Sequence, residues 1–207
     1  MKKSILFALF AFAVFQWSGD AQDTRRVVIN EIAWAGTAAG ANDEWIELFN
    51  NTDRDIDLSG WVLRWEGKTI HFGPVAEEVE NNAQEVRTAV ISARGYYLLE
   101  RTDDTTVNDI EADLIYSGSL RNTGEALMLL DDQGNEVDSA NAMVEEGWIA
   151  GMAGGDEGVP YATMERINVR APDRQDNWAS NNGQQRNGLD AKSTPLNGTP
   201  KARNSAR

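Results

Sequence analysis

An all-β chain folded as a two-layer sandwich is the architecture the sequence predicts. Six or more short runs alternate apolar and polar residues, and period two fits them better than the 3.6 of a helix. Each run is about five to eight residues long, the usual length of a strand. Clusters of Asn, Asp and Gly separate the runs as turn signals do, and short strands punctuated this way pack as two sheets.

The first strand is read in RVVINEIAW, residues 26–34, with Val28, Ile32 and Trp34 on one side. EWIELFN (44–50) places Ile46 and Leu48 together, and GWVLRW (60–65) places Trp61, Leu63 and Trp65 together. GYYLLE (95–100), EALMLLD (125–131) and NEVDSA (135–140) follow. Between the second and third runs lies NNTDRDIDLSG, whose Asn and Asp side chains are suited to bonding nearby backbone. DDQGN (131–135) predicts a hairpin, with Gly134 free to take a positive φ.

Two segments exceed a minimal sandwich: an acidic excursion over 73–90 and a Gly-rich one over 143–167 that ends in an apolar run. Loops of that length usually carry function or mobility. From Asn168 onward Asn, Gly, Ser and Pro dominate, which predicts an extended arm lying on the domain and pinned at Trp178, Leu189 and Leu196. The expected division is therefore a leader over 1–21, a sandwich core over 22–140, and a Gly-rich loop, short strand and arm over 141–207.

The leader is read from Lys2 and Lys3, an apolar run from Ile5 to Phe15, and small residues at Gly19 and Ala21. That order is the signature of a secretory signal peptide, with cleavage expected after Ala21. Its 11 apolar residues fall short of the roughly 20 that span a bilayer as a helix. Retention as an uncleaved anchor is the alternative. Secretion, or a place in the periplasm or cell envelope, follows as the expected location.

Composition removes several chemistries. The chain has 207 residues, no Cys and one His, and a formal net charge of −14. Without Cys there are no disulfides, zinc-thiolate sites or thiol nucleophiles. A multi-His zinc site is equally excluded, and a Ser-His-Asp triad would depend on His71 alone, with no Gly-x-Ser-x-Gly elbow present. Gly154–Gly158 lacks the Lys and Ser/Thr of a phosphate loop, so no cofactor is expected. The acidic balance opposes the cationic neutralisation that nucleic-acid binding requires. The terminal KARNSAR is a local exception, with three positive charges and no acid.

Four blocks in order, VVINEIAW, DEWIELFNNTDRDIDLSGWVL, ISARGYYLLER and SLRNTGEALMLLDDQGNEVDSA, resemble the lamin-tail-domain family from Val27 to about Ala140. YATMERI and the Asn-rich tail resemble the C-terminal extension of its bacterial members. The resemblance implies an immunoglobulin-like β-sandwich of lamin-tail-domain type, in a secreted module that binds or tethers. It carries over no catalytic residues.

Two functional readings stand side by side. One is an exported, non-enzymatic module for protein or cell-surface glycan. It would use aromatics outside the core, with Trp148, Tyr161 and Trp178 as binding candidates and Trp34 and Trp45 as further platform residues. The other is a metal-assisted hydrolase built on Glu31, Asp43, Glu44 and Glu47, whose hard oxygens would suit calcium or magnesium. Against it, the same carboxylates read as a solvated strand face that discourages edge pairing.

Overall fold

The computed structural model describes residues 25–73, 89–155 and 158–206. The leader and most of the acidic excursion lie outside the described residues. Among those described, no helix is long and apolar enough to cross a membrane.

Among the described residues twelve strands form, in chain order: β1 Val27–Ala33, β2 Trp45–Asn50, β3 Ile56–Asp57, β4 Val62–Trp65, β5 Lys68–His71, β6 Val90–Ile91, β7 Tyr96–Arg101, β8 Leu114–Tyr116, β9 Leu127–Leu130, β10 Glu136–Ala140, β11 Met164–Arg166 and β12 Trp178–Ser180. They build a six-stranded sheet, β12-β11-β1-β2-β7-β8, and a four-stranded one, β10-β9-β4-β5. β3 and β6 make a separate ribbon. All pairings are antiparallel except β7 with β8.

Ile32, Ile46, Leu48, Tyr97 and Leu99 of the large sheet enter one apolar core with Leu63, Trp65, Leu127, Leu129 and Val137 of the small one. Leu58 and Trp61 drop into it from the turn after β2. That turn is fixed by Asn50, whose amide donates to Arg54 O, Ile91 O and Ser92 O while its Oδ1 accepts from the Thr52 N–H. Gly134 turns the β9–β10 hairpin at φ +80°, as its position in DDQGN predicts.

β1 departs from simple alternation. A bulge at Asn30 shifts the β1–β2 register between Ile29 and Glu31. Val27 and Ile29 face the core before it, and Ile32 and Trp34 after it. Val28, expected beside Ile32 and Trp34, instead pairs with Phe49 on the opposite face. An extra residue in one strand re-aims every side chain beyond it.

The segment after Ala140 completes the fold. β11 joins the sheet beside β1 and β12 extends it. Residues 181–206 then cross the outer face of the large sheet as a third layer. There Leu196 packs with Ala33, Trp45, Leu98 and Val107 in a second small core. The two sheets are also tied by a buried ion pair, Arg166 Nη2 to Asp138 Oδ2 at 2.6 Å, with the guanidinium 4.4 Å over the Trp178 ring.

Candidate functional site

The bulge brings Glu31 outward, directly opposite Glu47 on β2 and Glu165 on β11. Three glutamates therefore stand in a row across adjacent strands, all with no exposed surface. The expectation of a wet acidic face fails here, because the arm covers the row and supplies its hydrogen bonds. Glu31 Oε1 accepts from Thr163 Oγ1 at 2.6 Å and the Thr199 N–H at 2.8 Å, and Thr199 Oγ1 lies 2.7 Å from Oε2. Glu47 accepts from the Asn30 amide and from the Lys201 N–H. Glu165 accepts from the Asn181 amide, Ser205 Oγ and the Ala206 N–H.

Burial and mutual proximity dominate the electrostatics of this row. Burial, then the Glu165 charge, pushes the Glu31 carboxyl up to about 8. Burial, then Glu31, holds Glu47 well above the ordinary carboxylate range. Removing water from a carboxylate disfavours its charged form, and a like charge nearby adds to the effect.

The other two acids of the expected metal set lie elsewhere. Glu44 forms an ion pair with Arg101 and accepts the Leu120 N–H, and burial raises it to about 7. Asp43 accepts from Thr37 Oγ1. The set of Glu31, Asp43, Glu44 and Glu47 thus divides into three separate environments, two of them filled by protein donors. Among the described residues no group of three or more acids or histidines could hold a metal ion. His71 is an exposed residue of β5.

The aromatic candidates separate just as clearly. Trp178 is a core residue whose indole donates to Asp173 Oδ1, so it offers no recognition surface. Trp34 and Trp45 are buried as well. Trp148 stacks on Trp34 at 5.6 Å and 5° and donates to Arg121 O, which anchors the Gly-rich segment to the sandwich.

Of the three binding candidates, Tyr161 lines an open cleft of about 400 Å³ between the Gly-rich segment and the arm. Val159, Pro160 and Pro195 share its apolar wall, and Arg186, Asp190 and Asn197 add polar groups. The Tyr161 ring is held from one side by the Gly154 backbone, where any side chain would begin 2.3 Å from Tyr161 Cδ2. Asn197 fixes the Tyr161 backbone by donating to its carbonyl at 2.7 Å. Trp45 closes the cleft's floor, and its buried indole N–H has no acceptor among the described residues. Sequence patterning singled out Tyr161 but not Arg186 or Asn197, which come from a stretch whose polar composition reads only as a loop.

In comparison with known proteins, the family profile described as Lamin Tail Domain matches residues 20–143, from before β1 to just past β10. No curated protein matches the chain.

Proposed function

Since the chain belongs to the lamin tail domain family, whose fold is an immunoglobulin-like β-sandwich, we propose that it acts as an exported, non-enzymatic binding module that takes a cell-surface glycan or protein in the Tyr161 cleft. Preorganisation of Tyr161 beside a cleft of about 400 Å³ supports this reading. Recognition sites for small groups combine an apolar plate with a few convergent polar groups, at a volume of roughly 300–1,000 Å³. A sugar ring fits that description, with its C–H face against Tyr161 and Pro160 and its hydroxyls toward Arg186 and Asn197. A peptide would use the same wall through an apolar side chain. Because Gly154 and Asn197 already fix Tyr161, little side-chain entropy is lost on binding.

The test is capture from cell-envelope material by immobilised wild-type protein and by Tyr161→Ala, with the captured fraction split into polysaccharide and protein. Loss of capture in the variant supports the reading. Equal capture by both sinks it.

A further inference from the structure

A second cleft, of about 520 Å³, opens on the same outer face at the far side of the arm. Its apolar part is formed by Phe49 and Tyr96, cross-strand partners whose rings meet at 5.1 Å in a tilted pair, together with Ile167 and Val169. Its rim carries Arg94 and Arg203. No Asp or Glu lines it, in a chain whose formal charge is −14.

The donors of this cleft divide into used and available groups. Arg166 reaches its base but bonds inward, to Asp138 and to the carbonyls of Ile29, Ala171 and Ser139. Asn30 and Asn204 bond each other, with Glu47 and Arg166 O as further partners. Arg94 is half-engaged, with Nε on the exposed Asp53 at 2.8 Å and Nη1 on Asn51. The exposed Arg203 guanidinium and the Tyr96 hydroxyl have no hydrogen-bond partner among the described residues. The cleft thus presents donors and apolar surface with no carboxylate in its lining, Asp53 meeting Arg94 Nε from outside it.

We propose that this cleft binds an acidic peptide segment, its carboxylate gripped by Arg203 and Arg94 and its adjoining apolar side chain laid on Phe49 and Tyr96. The planar guanidinium fork matches a carboxylate, and it keeps its charge at every working pH. A bare inorganic anion would leave the Phe49–Tyr96 floor unused. A long polyanion would meet the repulsion of the whole acidic surface, which a short segment avoids.

The experiment uses the full chain and a fluorescent peptide carrying Glu between Phe and Leu, followed by anisotropy at low and moderate salt. Wild type is expected to bind, and Arg203→Glu, a change at an exposed side chain, to bind about tenfold more weakly or worse. Tyr96→Leu keeps apolar volume and is expected to weaken binding less than Arg203→Glu does. A peptide with Gln in place of Glu is expected to lose most of the affinity. No binding by wild type, equal binding by Arg203→Glu, or equal binding of the Gln peptide overturns the proposal. Displacement of the peptide by inorganic phosphate at equal concentration also overturns it, since the apolar floor would then contribute nothing. Tyr161→Ala should leave this binding unchanged, so this proposal and the reading of the Tyr161 cleft stand or fall separately.

Discussion

The hydroxyl of Thr199 lies between two buried carboxyls, 2.7 Å from Glu31 Oε2 and 3.2 Å from Glu165 Oε1. One hydroxyl has one proton to donate. If both glutamates were ionised, one short contact would join two acceptors across a hydroxyl able to satisfy only one of them. A proton on Glu31 resolves the geometry: Glu31 donates to Thr199, and Thr199 donates to Glu165. The Thr163 hydroxyl and the Thr199 N–H still satisfy Glu31 Oε1. The elevated Glu31 pKa agrees with this count.

A pH dependence of stability follows, with a sign opposite to that of a paired carboxylate. Glu31 titrates near 4.5 when unfolded and near 8 when folded, so the folded state binds the proton more tightly. Its contribution is complete below about pH 4.5 and is lost as pH rises toward about 8. Glu47, Glu44, Glu100 and Asp138 are displaced in the same direction. The exposed Asp53, Asp57 and Asp176 and the partly buried Asp131 shift downward and oppose them only in the acid range. Urea unfolding should therefore give a higher midpoint at about pH 5 than at about pH 8.5, with an unfolding free energy larger by on the order of a few kcal/mol. A midpoint that rises over this interval would show that the row is not protonated.

Glu31→Gln isolates the proton from the side chain. The amide NH₂ can donate to Thr199 as the protonated acid does, and Oε1 keeps its two donors. The variant should match wild type within about 1 kcal/mol near pH 5 and exceed it near pH 8.5. Glu31→Ala instead strands the Thr199 N–H and should cost about 1–3 kcal/mol near pH 5, and less near pH 8.5, where wild type has itself lost the Glu31 contribution. Equal slopes of stability against pH in wild type and Glu31→Gln would remove Glu31 as the source of the dependence.

Thr199→Val keeps the shape of the side chain and deletes the bridging hydroxyl. The cost should be about 1–3 kcal/mol, concentrated in the arm rather than the sandwich. Hydrogen exchange is the discriminating measurement. Amides of residues 181–206 should exchange faster while β2 and β7 keep their protection. Uniform acceleration across both layers would mean that the arm and sandwich open as one unit.

Strand positions were legible because one face of most strands is buried under aliphatic and aromatic side chains, and alternation records that. The Asn30 bulge was not legible, since an inserted residue leaves the composition of β1 unchanged and only its register altered. The glutamate row was misread because a lone carboxylate among the polar positions of a strand ordinarily marks solvent. One signal pointed the other way: Trp45 and Glu47 are two apart and so share a face, and a Trp there argues for a cover. That cover, residues 181–206, is held by Asn, Thr and Ser side chains and backbone N–H groups, with Leu196 as its buried aliphatic. Its composition therefore resembles that of an ordinary loop. The Tyr161 cleft needs the same arm for one wall, so Tyr161 could be nominated from sequence while its neighbours could not.

The Arg166–Asp138 pair should show strong coupling. Removing either partner leaves a buried charge uncompensated, at a cost of about 3–5 kcal/mol. Asp138 also accepts the Ile29 N–H at 2.8 Å, so its loss strands a backbone donor as well. The double variant Arg166→Met, Asp138→Leu should lose clearly less than the sum of the two single changes. Additivity in a double-mutant cycle by chemical denaturation would show that the pair does not act as a unit.

Two aromatics of the Gly-rich segment should separate stability from recognition. Trp148 is stacked on Trp34 and bonded to Arg121 O, so Trp148→Ala removes packing from the sandwich margin and should cost about 1–3 kcal/mol. Tyr161 is half-buried on a cleft wall, and its backbone rather than its ring carries the bond from Asn197. Tyr161→Ala should therefore stay within about 1 kcal/mol of wild type while losing capture of envelope material. Thermal unfolding and capture, measured on both variants, give a crossed pattern if the assignment is right. A Tyr161→Ala protein that melts early and a Trp148→Ala protein that melts normally would reverse the two roles.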